Sequence, residues 1–307
     1  MSERYDFHTH THVSDGSLSP AELVRAAALN RVTAFALTDH DTTDGVTAAQ
    51  AEGRVLGVEV IAGIELSVSE QDGARALHIL GLGIDPDDAP LRARLEVSRH
   101  GRSTRAARIV AHLQGLGIAI ELARVEEIAG GGTIGRPHVA RALVEVGAAR
   151  DQDDAFIRYL RRGRPAYEPN PELSAREAIE LVHGAGGVAV LAHPPLSGGI
   201  DGPGGIEAYV ERLLPLDLDG IEIWHPGHRP NQIRRLRRLA RAHELLETGG
   251  SDFHGEDRPG IEIGRGRAGG MHIGRAVYDA FSARLAARRD ARALTLSGVE
   301  SNLGRPS

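Results

Sequence analysis

Short apolar runs alternate with helical patterns along most of the chain, and this alternation limits the fold more than any other feature of the sequence. The runs are rich in Val, Ile and Leu and have the length of strands. Strands separated by helices indicate β–α units, and they argue against an all-β or an all-α protein. The seven predicted strands cover residues 4–8, 32–38, 58–66, 77–83, 188–192, 220–224 and 245–249.

Two of the intervening helices have a recognisable start. Ser19 and Glu22 have the spacing of a capping box, which predicts a helix from this point to about Asn30. Ser174 and Glu177 repeat the same device before the fifth strand. Repeated units of this kind favour a parallel α/β barrel, in which functional groups lie at the carboxyl ends of the strands.

The strand pattern is interrupted once and then ends. Between residues 91 and 167 it gives way to charged helical patterns, which predicts a small inserted helical subdomain that contributes to the substrate pocket. Residues 1–90 and 168–263 would then form the barrel. From residue 264 the chain is rich in Gly and Arg, with one amphipathic stretch at 276–288, so residues 264–307 are predicted to form a peripheral helix and a tail.

Composition excludes several kinds of site. The 307 residues include no cysteine, which excludes disulfides, thiolate zinc sites and cysteine nucleophiles, so any metal must bind to His, Asp or Glu. The chain has neither a recognisable signal sequence nor an apolar run of about 18 residues. We therefore expect a cytoplasmic protein that does not enter a membrane.

Histidines and carboxylates cluster at the predicted strand ends. His8 and His10 follow the first strand, and because side chains alternate in an extended chain, both project to one side and can bind one ion. Two such histidines alone are common as ordinary surface or core residues. Burying many ionisable groups without partners is costly, so a shared metal centre accounts for the whole set. The other strand-end residues are His40, Glu65, His193, Asp252 and His254, and His78 lies within the fourth predicted strand.

These motifs resemble the PHP (polymerase and histidinol phosphatase) superfamily. The segments HTHTHVSDGS at 8–17, LTDHDT at 37–42, AHP at 192–194 and GSDFHG at 250–255 occur in the family's order. The segments at 133–143 and 163–167 resemble its 3',5'-nucleoside bisphosphate phosphatases, some of which also trim RNA from the 5' end. The resemblance implies a distorted (β/α)7 barrel with a centre of two or three metals.

The resemblance also implies which residues bind each metal. Manganese is the first choice by family likeness, while imidazole and carboxylate ligands also suit zinc or ferrous iron. Asp39, Asp41 and Asp44 flank His40, and some of them are expected to orient ligand histidines. The implied ligands are His8, His10, Glu65 and Asp252 for the first metal, Glu65 as a bridge with His78 and His193 for the second, and Asp15, His40 and His254 for the third.

The implied activity is hydrolysis of the 3'-phosphate of a 3',5'-bisphosphonucleoside such as pAp, by a metal-activated hydroxide. The alternatives are a 5'-3' exoribonuclease that acts on short 5'-phosphorylated RNA, a histidinol-phosphate phosphatase, and a non-catalytic phosphate-binding module. The candidate catalytic residues are His193, Asp252 and His228, of which His228 could donate a proton to the leaving alkoxide or contact the substrate. The oligomeric state stays undefined.

Three residues are candidates for binding phosphate. Arg136 follows three glycines and precedes a proline, which predicts a position at a helix N-terminus, where backbone N–H groups favour anions. With His138 it could clamp a second phosphate. Arg164 stands where relatives usually carry lysine, so it keeps the charge with a different geometry.

Overall fold

The computed structural model describes residues 3–69, 76–169, 173–196 and 205–303. All seven predicted strands are present in it, and they form one sheet in chain order. Two short strands, β8 and β9, pair in a separate hairpin that the apolar pattern did not predict. The strands are β1 (Tyr5–Asp6), β2 (Ala34–Leu37), β3 (Glu59–Ser69), β4 (Ala76–Leu82), β5 (Val188–Leu191), β6 (Gly220–Trp224), β7 (Leu246–Gly249), β8 (Ile261–Glu262) and β9 (Gly266–Arg267).

Strand β4 departs from the expected parallel arrangement. It runs antiparallel to both β3 and β5, whereas the other neighbouring pairs are parallel. Only six residues, 70–75, separate β3 from β4, and a parallel crossover needs a dozen or more. Because β4 is reversed, His78 near its start lies at the same edge of the sheet as the carboxyl ends of the parallel strands.

The two outer strands of the sheet approach each other and nearly close it. The Phe7 N–H donates to the Gly249 carbonyl at 3.0 Å, and the Asp252 N–H donates to the His8 carbonyl at 2.9 Å. A Cβ atom at Gly250 would lie 2.2 Å from the His8 Cβ, so this closure requires glycine. The predicted distorted (β/α)7 barrel is confirmed.

The helices cover the outer face of the barrel. Side chains alternate between the two faces of each strand, so the core has one apolar cluster outside the sheet and one inside the barrel. Phe35 and Leu37 pack in one apolar cluster with Leu23 and Val24 of the first helix. Ala34 and Ala36 point the other way, into the barrel interior. The helices are α1 (Pro20–Leu29), α2 (Val46–Leu56), α3 (Ala89–Gly115), α4 (Leu122–Ala129), α5 (Arg136–Glu145), α6 (Gln152–Ala155), α7 (Ala175–Gly184), α8 (Gly205–Leu213), α9 (Pro230–Ala242) and α10 (Arg275–Leu303).

Both predicted capping boxes are present. Ser19 caps α1, and its Oγ accepts from the Glu22 N–H at 3.3 Å. Ser174 caps α7 in the same way, with Glu177 as the partner. Within the described ranges, no helix combines the length and the apolar character needed to cross a bilayer.

Helix α10 covers the barrel end opposite the carboxyl ends of the parallel strands, and it continues past the predicted limit of Arg288 to Leu303. Residues 304–307 of the predicted tail lie outside the described residues. The helix is held by Asp219, which directly precedes β6 and is fully buried. Its carboxylate accepts from Arg284 Nη1 at 3.2 Å, from Arg288 Nε at 2.8 Å and from His183 Nε2 at 2.8 Å.

We expect Asp219→Asn to lower the free energy of unfolding by about 1–3 kcal/mol, since it leaves buried donors without a charged acceptor. Burial raises the pKa of Asp219, but the His183 and Arg288 partners lower it below its ordinary value. The ionised carboxylate therefore stabilises the fold above a pH of about 4, and this contribution is lost as pH falls through the lowered pKa.

Urea unfolding at several pH values measures this effect. The matched control is Asp217→Asn, whose carboxylate is 71% exposed and also contacts Arg288. An exposed pair contributes about 0–1 kcal/mol, so the control should change stability less. Equal stability losses in the two variants would contradict the role of Asp219.

The segment between β4 and β5 is helical in its described part and has an apolar cluster of its own. Ile109, Val125, Leu143 and Leu160 belong to that cluster. The segment meets the barrel at the loop after β1, where the Thr133 N–H donates to the Val13 carbonyl at 2.9 Å. The division of the chain into a barrel, an inserted subdomain and a peripheral tail stays a prediction.

Candidate metal centre

Glu65 of β3 lies at the centre of a histidine cluster and is fully buried. Its two carboxylate oxygens face different sets of ring nitrogens. Oε1 lies 2.6 Å from His78 Nδ1 and 2.9 Å from His193 Nε2. Oε2 lies 3.1 Å from the Nε2 atoms of both His8 and His10 and 3.2 Å from His40 Nδ1.

Two aspartates extend the cluster on either side of His254. Asp15 Oδ1 lies 3.2 Å from His254 Nε2, and Asp15 Oδ2 lies 3.8 Å from His40 Nε2. Asp252 Oδ1 lies 3.3 Å from His10 Nε2 and 3.5 Å from His254 Nδ1. The structure therefore brings all the predicted metal ligands to one end of the barrel.

Four groups of these residues have ligand atoms that all lie within 4.8 Å of one another. They overlap the implied ligand sets, but His10 joins the group that was implied to contain only Asp15, His40 and His254. The assignment of ligands to individual ions stays a prediction. The groups are His10, Asp15, His40 and His254; His8, His10 and Asp252; His8, Glu65 and His193; and His40, Glu65 and His78.

Unpaired ring nitrogens show that the cluster fits cations. His10 Nδ1 and Nε2, His40 Nδ1, His193 Nδ1 and His254 Nε2 are buried without an aligned hydrogen-bond partner among the described residues. Divalent ions shared between these imidazoles and carboxylates would satisfy them, and the nitrogen and oxygen donors suit manganese, zinc or ferrous iron.

Glu222 orients one of the predicted ligands, and sequence reasoning assigned it no role. Its Oε1 lies 3.1 Å from His8 Nδ1, so that nitrogen donates to the carboxylate and the ring turns Nε2 toward Glu65 and the cluster. Its Oε2 accepts from the His193 N–H at 2.7 Å. Its position between Ile221 and Ile223 in an apolar strand was the available signal, because an unpaired carboxylate is costly there.

Some of the three aspartates that flank His40 were expected to orient ligand histidines. Among the described residues, their hydrogen bonds and ion pairs go to other groups and hold the loops around the cluster. Asp39 accepts from Thr11 and Ser14, Asp41 accepts from Arg102 and Ser67, and Asp44 pairs with Arg99 on the surface.

Mutual electrostatics keep the carboxylates ionised. Burial raises the pKa of Glu65, Asp15 and Asp252, but the surrounding histidines and, for Asp252, first of all Arg258 hold each pKa well below its ordinary value. Burial lowers the pKa of His40 to about 3, so its ring is neutral at pH 7. Burial also acts to lower the pKa of His10, but the Asp252 and Glu65 carboxylates outweigh it and raise the pKa of that ring to about 9.

Three of the seven described non-glycine residues with positive φ lie at the cluster. Asp41, His193 and Asp252 adopt positive φ values of 51°, 26° and 49°. A side chain other than glycine in this region costs about 1–3 kcal/mol, and such residues occur preferentially at functional sites. The strain at His193 and Asp252 falls on two predicted ligands.

His228 is buried beside the cluster, 5.1 Å from the His225 ring between centroids. Its Nδ1–H donates to the Ile223 carbonyl at 2.9 Å, which leaves the Nε2 atom buried without a partner among the described residues. Burial lowers the pKa of His228 to about 4, so the ring is neutral at pH 7 and Nε2 is an acceptor. The predicted role as proton donor therefore requires prior protonation at Nε2.

The predicted phosphate-binding residues occupy different surroundings. Arg136 is the first residue of α5, as predicted, and its guanidinium lies 5.8 Å from the centroid of the Phe156 ring. His138 is buried, and burial lowers its pKa to about 4 while nearby Asp15 opposes the shift. Arg164 is exposed in a turn. Their binding roles stay predictions.

Comparison with known proteins identifies the family. The PHP domain family matches residues 6–142. The 3',5'-nucleoside bisphosphate phosphatase of Chromobacterium violaceum is 36% identical over 270 residues, covering 84% of this chain and 90% of the relative. The 5'-3' exoribonuclease Rnm of Escherichia coli is 37% identical over 268 residues, covering 85% and 88%.

A solved structure supports the same grouping. It is a candidate metal-dependent phosphoesterase from Bifidobacterium adolescentis, with a TM-score of 0.81, 31% identity, and coverage of 92% of this chain and 96% of the other. The barrel, the buried cluster around Glu65 and the similarity to these relatives all indicate the same family. The chain therefore belongs to the PHP family and is a metal-dependent hydrolase.

Proposed function

We propose that the protein hydrolyses the 3'-phosphate of 3',5'-bisphosphonucleosides such as pAp and releases a 5'-nucleotide and inorganic phosphate. The observation that carries the proposal is Glu65, whose two oxygens face separate sets of histidine nitrogens. A carboxylate in this position can bridge two cations. Phosphate monoester hydrolysis benefits from such a pair, because both the substrate and the attacking group are anionic.

The proposed cofactor is manganese, with two or three ions held by the ligand groups described above. The ions would neutralise the phosphate oxygens and lower the pKa of a coordinated water toward neutrality. The chain itself supplies the orientation: Glu222 fixes the His8 ring, and the Asp252 backbone carbonyl lies 2.9 Å from His254 Nδ1 and fixes that ring. Neutral His228 would accept a proton from the attacking water at Nε2 and donate it to the leaving alkoxide.

The second phosphate of the substrate would be bound by Arg136 and His138, with Arg164 as a further contact. Helix α5 lies against the loop that carries Asp15, since Arg141 Nη2 donates to the Asp15 carbonyl at 3.3 Å. This contact supports a substrate pocket formed jointly by the barrel and the inserted helical segment.

Exoribonuclease action on short 5'-phosphorylated RNA is the second candidate. A relative of that name matches this chain as well as the bisphosphate phosphatase does. The same ions and ligands could hydrolyse a phosphodiester.

The test is phosphate or nucleotide release by the manganese-loaded protein from pAp, from 5'-phosphorylated RNA and from histidinol phosphate. Preference for pAp supports the proposal, and preference for either of the others contradicts it.

We expect Arg136→Ala to lower kcat/KM for pAp roughly 10- to 150-fold, because a charge-assisted hydrogen bond contributes about 1.5–3 kcal/mol. Activity on an aryl phosphate, which has no second phosphate, should change little, and metal content should stay the same. The matched control is Arg161→Ala, an exposed arginine of the same segment. Equal losses on both substrates would instead place Arg136 at the scissile phosphate, and no loss would remove it from the site.

A further inference from the structure

Arg258 lies at the edge of the cluster, in the loop that follows β7. Its Nη1 forms an ion pair with Asp252 Oδ2 and lies 3.5 Å from the Asp252 carbonyl oxygen. The side chain is 43% exposed, whereas Asp252 is buried. The guanidinium therefore contacts the buried cluster through Asp252, while part of the side chain is exposed to solvent.

The two oxygens of Asp252 have separate partners. Oδ1 faces the cluster, 3.3 Å from His10 Nε2 and 3.5 Å from His254 Nδ1. Oδ2 points away and is bound by Arg258 and by His225 Nε2 at 3.2 Å. Arg258 therefore binds Asp252 only through Oδ2 on its side chain, and the Oδ1 atom of this predicted metal ligand stays available to an ion.

The rest of the Arg258 fork is available to a ligand. Among the described residues, its side chain bonds only to Asp252, through Nη1. Nε and Nη2 therefore remain as donors on an exposed group.

We propose that Arg258 contacts the scissile phosphate and binds its oxygens with the free edge of the guanidinium. This inference rests on the proposed phosphoesterase function and extends it to a residue of the barrel itself. A guanidinium suits the task because its planar fork can bind two phosphate oxygens at once. The pair with Asp252 fixes its position before the substrate arrives, so less side-chain freedom is lost on binding.

The competing explanation is that Arg258 only orients Asp252. The two roles differ in what they change. Loss of an orienting residue would reduce metal binding, whereas loss of a phosphate contact would weaken the affinity for phosphate at unchanged metal content. His225 provides the comparison, because it binds the same Asp252 oxygen but is buried.

The experiment measures the affinity of the manganese-loaded protein for inorganic phosphate by calorimetry, together with metal content by elemental analysis. The variants are Arg258→Ala, Arg258→Lys and His225→Gln, with Arg267→Ala as an exposed-arginine control from β9. We expect Arg258→Ala to weaken phosphate binding roughly 10- to 100-fold with its metals retained. Arg258→Lys should recover part of this loss, since it keeps the charge without the fork.

His225→Gln and Arg267→Ala should change phosphate affinity less than about threefold, which is at the low end of the effect of one neutral hydrogen bond. Unchanged phosphate affinity in Arg258→Ala, or a loss that follows lost metal, overturns the inference. Because phosphate binding is measured directly, failure of this inference is distinguishable from failure of the proposed function, which appears as absent turnover of pAp by the wild-type protein.

Discussion

Replacement of Glu65 by glutamine is expected to reduce kcat/KM at least about 10³-fold, which corresponds to about 4 kcal/mol of transition-state stabilisation. The carboxylate lies within 3.2 Å of five histidine nitrogens. Glutamine keeps the shape but removes the charge, and it turns one of the two acceptor atoms into a donor that cannot bind a cation. Metal content should fall by at least one ion per chain.

Elemental analysis, steady-state kinetics and thermal unfolding test this expectation together. The control is Glu59→Gln at the first residue of the same strand, where the carboxylate is exposed and bonds to Tyr278. That variant should retain activity and metal. If Glu65→Gln retained near-normal activity and its full metal content, the bridging role would have to be abandoned.

The strand-end residues could be predicted because their chemistry is local. His8, His10 and Glu65 each follow or close an apolar run, and a barrel brings the carboxyl ends of its strands together whatever the details of packing. The capping boxes at Ser19 and Ser174 were equally local. In the structure β3 continues to Ser69, so Glu65 lies inside that strand and not at its end.

The direction of β4 was not predicted correctly from the sequence. An apolar run predicts a strand without fixing its direction, and the expectation of parallel strands neglected the short connection of residues 70–75. His78 was therefore expected within the fourth strand without a reason for its place at the site. Reversal of β4 supplies that reason, since the start of an antiparallel strand meets the ends of its neighbours.

Contacts between distant segments were beyond the sequence pattern. Glu222 orients His8 from 214 positions away, and Arg288 binds Asp219 from 69 positions away. Arg258 is close to Asp252 in sequence, but only the direction of its side chain relates it to the cluster. Partners of this kind depend on tertiary packing, so neither residue spacing nor periodicity indicates them.

Removal of metal should have the largest effect of all, because every proposed catalytic contribution depends on ions held by the cluster. We expect the protein to contain two or three transition-metal ions per chain and to lose phosphatase activity after treatment with a chelator. Manganese should restore it, and zinc or ferrous iron should restore it to a different extent. The fold should remain, since the barrel core consists of apolar side chains.

Elemental analysis combined with turnover of pAp before chelation, after chelation and after reconstitution is the most direct test. The account predicts that activity follows metal content, with little turnover in the metal-free protein and recovery on reloading. Full activity in protein shown to contain no metal would contradict it.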